Sequence, residues 1–324
     1  MRLIHLLVAG VLAASLPAFA QTMGTFPERD KRLLIVVPFA AGGGVDAAAR
    51  LLGEQLRKQL GMTVVVENKA GASGTIGGKF VQTSTSDGYT LLFSAATHVL
   101  AKQVLSKPPY DPQTDFAPVA RTGTAPLMLV MSPSKPQKGL DEIVSAVKKE
   151  PGKWTAGIPA SGAPSHLATL KLARQAQVNF TVVPYKGTQP ALMDVAGGHT
   201  DLLLDSMIAL QQMARTGKVK GVAVSSAKRS SLAPDLPTFR ESGLSDFVFE
   251  SWYGVWAPKD TPPDRIAALN VAINAATAEL ARSGQLANLG FEPVTETPGQ
   301  FRSHIAAEVA EGAELLRSAG FKPE

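Results

Sequence analysis

The sequence predicts an α/β protein of two lobes, joined by strands that cross between them, with a cleft where the lobes meet. Apolar runs of strand length alternate with helix-period segments along most of the chain, the pattern of an open, mostly parallel sheet with helices on its faces. The alternation occurs once before residue 124 and again after it. An aromatic-rich run, "FVFESWYGVWAP" from Phe247, then leads into a helical tail and can return the chain to the first lobe. The expected division is 21–123 plus 248–324 for one lobe and 124–247 for the other.

The elements follow in order. "RLLIVVPF" is a buried strand, and Leu52, Leu56 and Leu60 mark one face of the next helix, which Gly61 stops. "TVVVEN" and "TLLFSA" (Thr90–Ala95) are the second and third strands. In the middle, "PLMLVMS" (Pro126–Ser132), "KWTAGI", "FTVVPY", "DLLLDS" and "KGVAVSS" are strands. Helices are expected near Asp141–Lys149, Ser165–Gln175, Pro190–Ala196 and Ile208–Thr216. Pro234, Pro237 and Gly243 mark a loop-rich span. From Pro262 the tail is helical and amphipathic, interrupted at Gly284 and Gly290–Pro293.

Composition narrows the function. Arg2, the apolar stretch Leu3–Leu16 and the Ala18-Phe19-Ala20 signature form a secretory signal peptide, cleaved after Ala20. Its apolar stretch is shorter than the ~20 residues a spanning helix needs. The absence of cysteine excludes disulfides, thiol catalysis and thiolate metal sites. A net charge of +5, with no Lys/Arg block and no interleaved aromatics, suits an anionic small molecule and not nucleic acid.

The stretch "VPFAAGGGVDAAAR" places three glycines between a strand and a helix. No Lys-Ser/Thr pair follows them, so this is no P-loop. Gly42-x-Gly44-x-x-Ala47 formally fits a dinucleotide fingerprint, with Glu67 where a ribose-binding acid belongs. Two other readings stand beside it. Unpaired N–H groups of the first helical turn can seat an anion, or Asp46 can cap them while the glycines make the turn. A second loop, "GIPASGAPSHLATL", favours the anion. Its helix should begin at Pro164, which tolerates a missing N–H, and Ala163 before it has no capping side chain. The N–H groups of Gly162, Ala163, Ser165 and His166 then need a partner.

No catalytic or metal site assembles. His199-x-Asp201 follows Gly197-Gly198 and reads as a solvated turn, His304 lies in the polar C-terminal helix, and no H-E-x-x-H or G-x-S-x-G occurs. His166 either hydrogen-bonds a ligand or packs against its loop.

The stretches "RLLIVVPFAAGGGVDAAARLL", "VVVENKAGASGTIG", "DGYTLLF", "PPYDPQTDFAPVA", "FTVVPYKGTQPALMDVAGGHTDLLLDS" and "VKGVAVSSAKRSSLAPDLPTF" resemble the Bug family, the extracytoplasmic solute-binding proteins of tripartite tricarboxylate transporters. The resemblance implies a type II-like, Venus-flytrap periplasmic binding protein, acting as a monomer without cofactor or catalysis. It would close on a small organic acid and present it to membrane permease subunits. It also implies a carboxylate held largely by main-chain amides of two loops. Carried onto this chain, the first is Phe39 to Asp46, with Phe39, Ala40, Gly43, Gly44, Val45 and Asp46. The second comprises Ser161, Gly162, Ala163, Ser165 and His166. Thr97 and His98 follow the third strand, and Tyr185, Lys186, Gly187 and Asp205-Ser206 follow strands of the second lobe. The chain departs from the family pattern at Ala40-Ala41, Val45, Ala160, Ala163 and Pro164, which implies a less polar pocket and a carboxylate with an apolar or aromatic body. The alternatives are an exported sensor that closes without transport, and a dinucleotide-dependent enzyme.

Overall fold

A computed structural model describes residues 26–324; the expected leader, 1–20, lies outside them. The opening apolar run forms β1 (Arg32–Val37), buried along nearly its whole length because both of its faces are covered. Parallel to it lie β2 (Thr63–Asn68) and β3 (Thr90–Ala95). Between β1 and β2 runs α1 (Gly44–Leu60), which buries Ala48, Ala49, Leu52 and Leu56 against the sheet. Each fully buried leucine of this kind contributes roughly 1.5–3 kcal/mol. Gly61 ends the helix in the left-handed region at φ 62°, returning its N–H to the Arg57 carbonyl. Three shorter helices, α2 (Thr75–Gln82), α3 (Ala96–Val99) and α4 (Ala101–Val104), complete this part.

The crossing strand β4 (Phe116–Met131) is 16 residues long, starting ten residues earlier than the sequence suggests. Pro118, Gly123 and Pro126 obscure it, since none suits a regular ladder. The strand accommodates the first two with register shifts against β9 (Glu250–Pro258), between Pro118 and Ala120 and between Arg121 and Gly123.

The second α/β part contains α5 (Leu140–Lys149), β5 (Thr155–Ile158), α6 (Pro164–Ala176), β6 (Thr181–Pro184), α7 (Thr188–Gly197), β7 (Leu202–Ser206), α8 (Met207–Arg215) and β8 (Lys220–Val224). After β9 come α9 (Pro263–Arg282), β10 (Glu292–Pro293) and α10 (Pro298–Ser318). The main strand order is β2-β1-β3-β9-β4-β7-β5-β6, with β8 and β10 also pairing with β4. The sheet is mixed and not mostly parallel. β1–β3 and β5–β7 give the parallel ladders, but every pairing made by β4 and β9 is antiparallel. Two strands that cross in opposite directions impose this, and strand-length periodicity carries no sign of direction. Separate apolar cores lie on the two sides of the crossing, one set around Leu33, Ile35 and Phe93, the other around Leu127, Leu129 and Phe239.

Candidate binding cleft

In open α/β sheets the carboxyl ends of strands, where loops lead into helix N-termini, are where ligands bind. Here the ends of β1, β3, β5, β6 and β7 converge on one cavity of about 30 Å³. Its wall includes the first residues of α1 (Gly44, Val45, Asp46), α6 (Pro164), α7 (Thr188) and the residue before α8 (Ser206). None of these four helices has a side-chain cap on its N-terminus. Ala95 and Thr97 enter from the end of β3, and Ser251 and Tyr253 from β9.

The first loop is the most open to an anion. Gly43 precedes α1 in extended backbone, and among the described residues the N–H groups of Gly43, Gly44, Val45 and Asp46 have no acceptor. Asp46 does not cap its helix. Its Oδ2 accepts from Gly42 N at 2.8 Å and from Arg50 Nε at 3.0 Å, while Oδ1 accepts from Asn68 Nδ2 at 2.9 Å. Burial pushes this carboxyl up, but Arg50, the Gly42 amide and Asn68 together hold it below its ordinary value. Asp46 therefore braces the loop, and the four residues whose amides lack an acceptor all line the cavity. Of the two readings left open for Asp46, the structure rules out the cap.

The second half meets this loop closely. The N–H of Ala40 donates to the Lys186 carbonyl at 3.1 Å, and Gln189 Nε2 donates to the Gly42 carbonyl at 2.7 Å. A side chain at Gly44 would put its Cβ 2.5 Å from Ser206 Oγ and 3.0 Å from Tyr253 Oη. At Gly187, φ is 135° and an added Cβ would lie 3.0 Å from Ala40 N. These glycines serve close approach of backbone across the cleft.

Of the expected site residues, Phe39, Ala40, Gly43, Gly44, Val45, Asp46, Thr97, Ala163, Asp205 and Ser206 line the cavity. The others do not. His98 points the opposite way, into a core of Tyr110, Phe116 and Trp256, with Nδ1 3.3 Å from Tyr110 Oη; burial pushes its pKa down to about 3. His166 packs on Phe321 and accepts the Gly162 N–H at Nδ1, 3.2 Å away, so of its two readings the structure takes the packing one. Burial holds it at about 4. The Ala163 N–H returns to the Ala160 carbonyl, Ser161 donates to Glu324, and Ser165 donates to the Leu204 carbonyl. Two of the four amides expected to be free in this loop are thus satisfied internally. Tyr185 is turned to Asp194 and Thr200, and Lys186 is exposed, meeting the first loop only through its carbonyl. His304, in the C-terminal helix as expected, is half-buried against Trp252 beside Arg121. Thr188, Ser251 and Tyr253 were not expected in the site; they reach it through tertiary closure, for which the sequence carries no local signal.

Among the described residues, the cavity wall contains no lysine, arginine or histidine. What it offers an anion is main-chain N–H, helix-terminal dipole and hydroxyl. Residues 48–321 match the family model described as the tripartite tricarboxylate transporter family receptor. The chain belongs to this family. Protein BugT of Bordetella pertussis (strain Tohama I) is 37% identical over 300 residues, covering 92% of this chain and 91% of BugT. An R. palustris protein solved with adipate superposes at TM-score 0.87 with 31% identity, covering 92% of this chain and all of that one. MatC from Rhodopseudomonas palustris, with bound malate, superposes at 0.80 with 32% identity, covering 88% and 99%. The chain is accordingly a solute-binding protein of this receptor family and not an enzyme, and its α/β fold is that of periplasmic binding proteins. The dinucleotide fingerprint is coincidental, since Gly44 faces Ser206 and Tyr253 directly and Glu67 is paired with Lys69.

Proposed function

We propose that the protein captures a small organic carboxylate with an apolar body between its two lobes, 21–123 plus 248–324 and 124–247, and delivers it to membrane permease subunits of a tripartite transporter. It would act as a monomer in the periplasm after loss of the leader. The observation that carries this reading is the run of four residues from Gly43 to Asp46 in the cavity wall whose amides, among the described residues, have no acceptor, with no lysine, arginine or histidine beside them. Micromolar affinity needs about 8 kcal/mol. A helix start supplies roughly 0.3–1 kcal/mol, and up to ~2 when partly buried, while charge-assisted hydrogen bonds supply ~1.5–3 kcal/mol each. Several amides acting together on one carboxylate, with burial of its carbon body against Phe39, Val45, Ala95 and Tyr253, reach that range.

A cavity of about 30 Å³ is the room of one water, so a ligand with a carbon body enters with the lobes further apart. Contacts from both lobes are complete only on closure, so ligand favours the closed population. Thermal-shift screening of the mature protein against adipate, malate, benzoate and citrate tests the reading. Adipate or benzoate should stabilise it, by about 2.7 kcal/mol at 100 times the dissociation constant. Stabilisation by citrate alone would refute the apolar-body preference, and none by any acid would refute carboxylate capture.

A further inference from the structure

Asp205 is the second carboxylate in the cavity wall and stands apart from Asp46 in one respect. Asp46 has Arg50 and Asn68 to balance it, whereas Asp205 has only neutral partners. Its Oδ2 accepts from Thr188 Oγ1 at 2.7 Å and its Oδ1 from the Ser206 N–H at 2.8 Å. It is 6% exposed, and each oxygen keeps a further lone pair. An organic anion in this cavity meets an acid with no cation to offset it.

We propose that the site takes its anion together with one proton, which Asp205 receives from solvent, so that the occupant is a carboxylate facing a neutral carboxyl group. This rests on the carboxylate-capture reading above. No bond of the anion is broken; the proton adds to a carboxylate oxygen of Asp205, which can then donate a hydrogen bond where it could only accept.

None of the charged or titratable groups around Asp205 supplies a free cation to balance it. On α1 the facing charges are Asp46 and Arg50, already paired. On α6 His166 is turned to Gly162 and Phe321 and is neutral at physiological pH. On α7 Asp194 is engaged by Tyr185. On β9 Tyr253, pushed up to about 12 by burial, donates to Ser206 Oγ. Opposite Asp205, β4 presents Met128, and α8 begins with Met207; neither is charged. Burial, only partly offset by Thr188 and Ser206, already raises Asp205 to about 6. A second negative charge in the same cavity raises it further.

Calorimetry with adipate, malate and benzoate at pH 6, 7 and 8, in buffers of different ionisation enthalpy, tests the inference. Wild-type protein should take up about one proton per anion at pH 8, with affinity falling about tenfold per pH unit above pH 6. Asp205→Asn should take up none, show a flat profile and bind more tightly than wild type at pH 8. Binding without proton uptake by wild type overturns the proposal and leaves carboxylate capture intact. A folded Asp205→Asn protein that binds at no pH also overturns it, because Asp205 would then be an acceptor for a donor on the ligand. If none of the three acids binds wild type at pH 6, the capture reading fails and the proposal with it. Should Asp205→Asn fail to fold, the wild-type proton count decides alone.

Discussion

The loops Phe39–Asp46 and Ser161–His166 look equivalent in sequence, each small-residue and uncapped at a helix start, yet the structure uses them differently. In the first, four consecutive amides from Gly43 to Asp46 are left unpaired while Asp46 ties the loop to Gly42, Asn68 and Arg50. In the second, His166 takes the Gly162 amide, Ala160 takes that of Ala163, and the hydroxyls of Ser161 and Ser165 are committed to Glu324 and Leu204. A missing cap therefore does not make an anion site; what decides is whether the rest of the chain supplies acceptors, as it does for Gly162 and Ala163, and whether the bare amides belong to residues of the cavity wall, as those of Ser165 and His166 do not. The proposed anion seat is lopsided. The first half brings the donors, and the second brings hydroxyls, an acid and closure.

The sharpest way to break this comparison is Gly44→Ala. The position is an ordinary first helical residue, so alanine suits the helix at least as well as glycine. Its Cβ, however, would lie 2.5 Å from Ser206 Oγ across the cleft. Carboxylate affinity should fall about 100-fold, or roughly 2.7 kcal/mol, and the melting temperature should fall modestly, because the Cβ also lies 2.7 Å from Ser206 Cβ in a buried contact. Calorimetry alongside thermal denaturation checks both, and an unchanged affinity would mean that the two halves do not meet at this loop in the bound state.

The histidines sharpen the same contrast. His98 and His166 are buried and held neutral, at about 3 and about 4, against roughly 6.5 in an unfolded chain. A depressed histidine contributes stability that is full above pH 6.5 and is lost as pH falls toward the folded value. Each should therefore cost about 1.4 kcal/mol per pH unit within that window. His98→Phe keeps the aromatic cluster of Tyr110, Phe116 and Trp256 and removes the titration. Urea unfolding at pH 7 and pH 5 should show the variant losing about 2 kcal/mol less than wild type on acidification. Equal losses would mean that the ring titrates normally.

His166→Ala addresses the second loop itself. It frees the Gly162 amide and removes the packing on Phe321, so stability should fall by about 1–1.5 kcal/mol while affinity changes less than threefold. A tenfold loss of affinity with stability intact would place this histidine against the ligand after all.

Much of this was legible in the sequence, and the misses share one cause. The start of α6 at Pro164 and the end of α1 at Gly61 follow from local backbone chemistry, and the structure has both. The first loop stood out because three glycines before a helix leave its amides bare. His98 was misplaced because a residue after a strand can face either side of the sheet, and Tyr110 and Trp256, which fix its side, are remote in sequence. Thr188, Ser251 and Tyr253 reach the cavity from elements far apart in sequence that only the folded chain brings together. The start of β4 was hidden by Pro118 and Gly123, which read as breaks until an antiparallel partner absorbs them as register shifts.

The smallest expected effect comes from Ser161→Ala. The Ser161 hydroxyl donates to the Glu324 side chain, whose backbone is in turn held by the Ser106 N–H at 2.7 Å and the Val104 carbonyl at 2.9 Å. This ties the second loop, by way of the last turn of chain after α10, to the segment beyond α4 on the other half. Removing the hydroxyl deletes one hydrogen bond and leaves a carboxylate that can turn to water, so the cost should be about 0.5–1 kcal/mol, seen as a small drop in urea midpoint at unchanged slope. Carboxylate affinity should stay within twofold, because the hydroxyl is already committed away from the cavity. If affinity instead falls tenfold while the midpoint holds, the hydroxyl exchanges Glu324 for the ligand on binding. The second loop would then join the seat only in the liganded state, and the lopsidedness would belong to one conformation of the cleft and not to its chemistry.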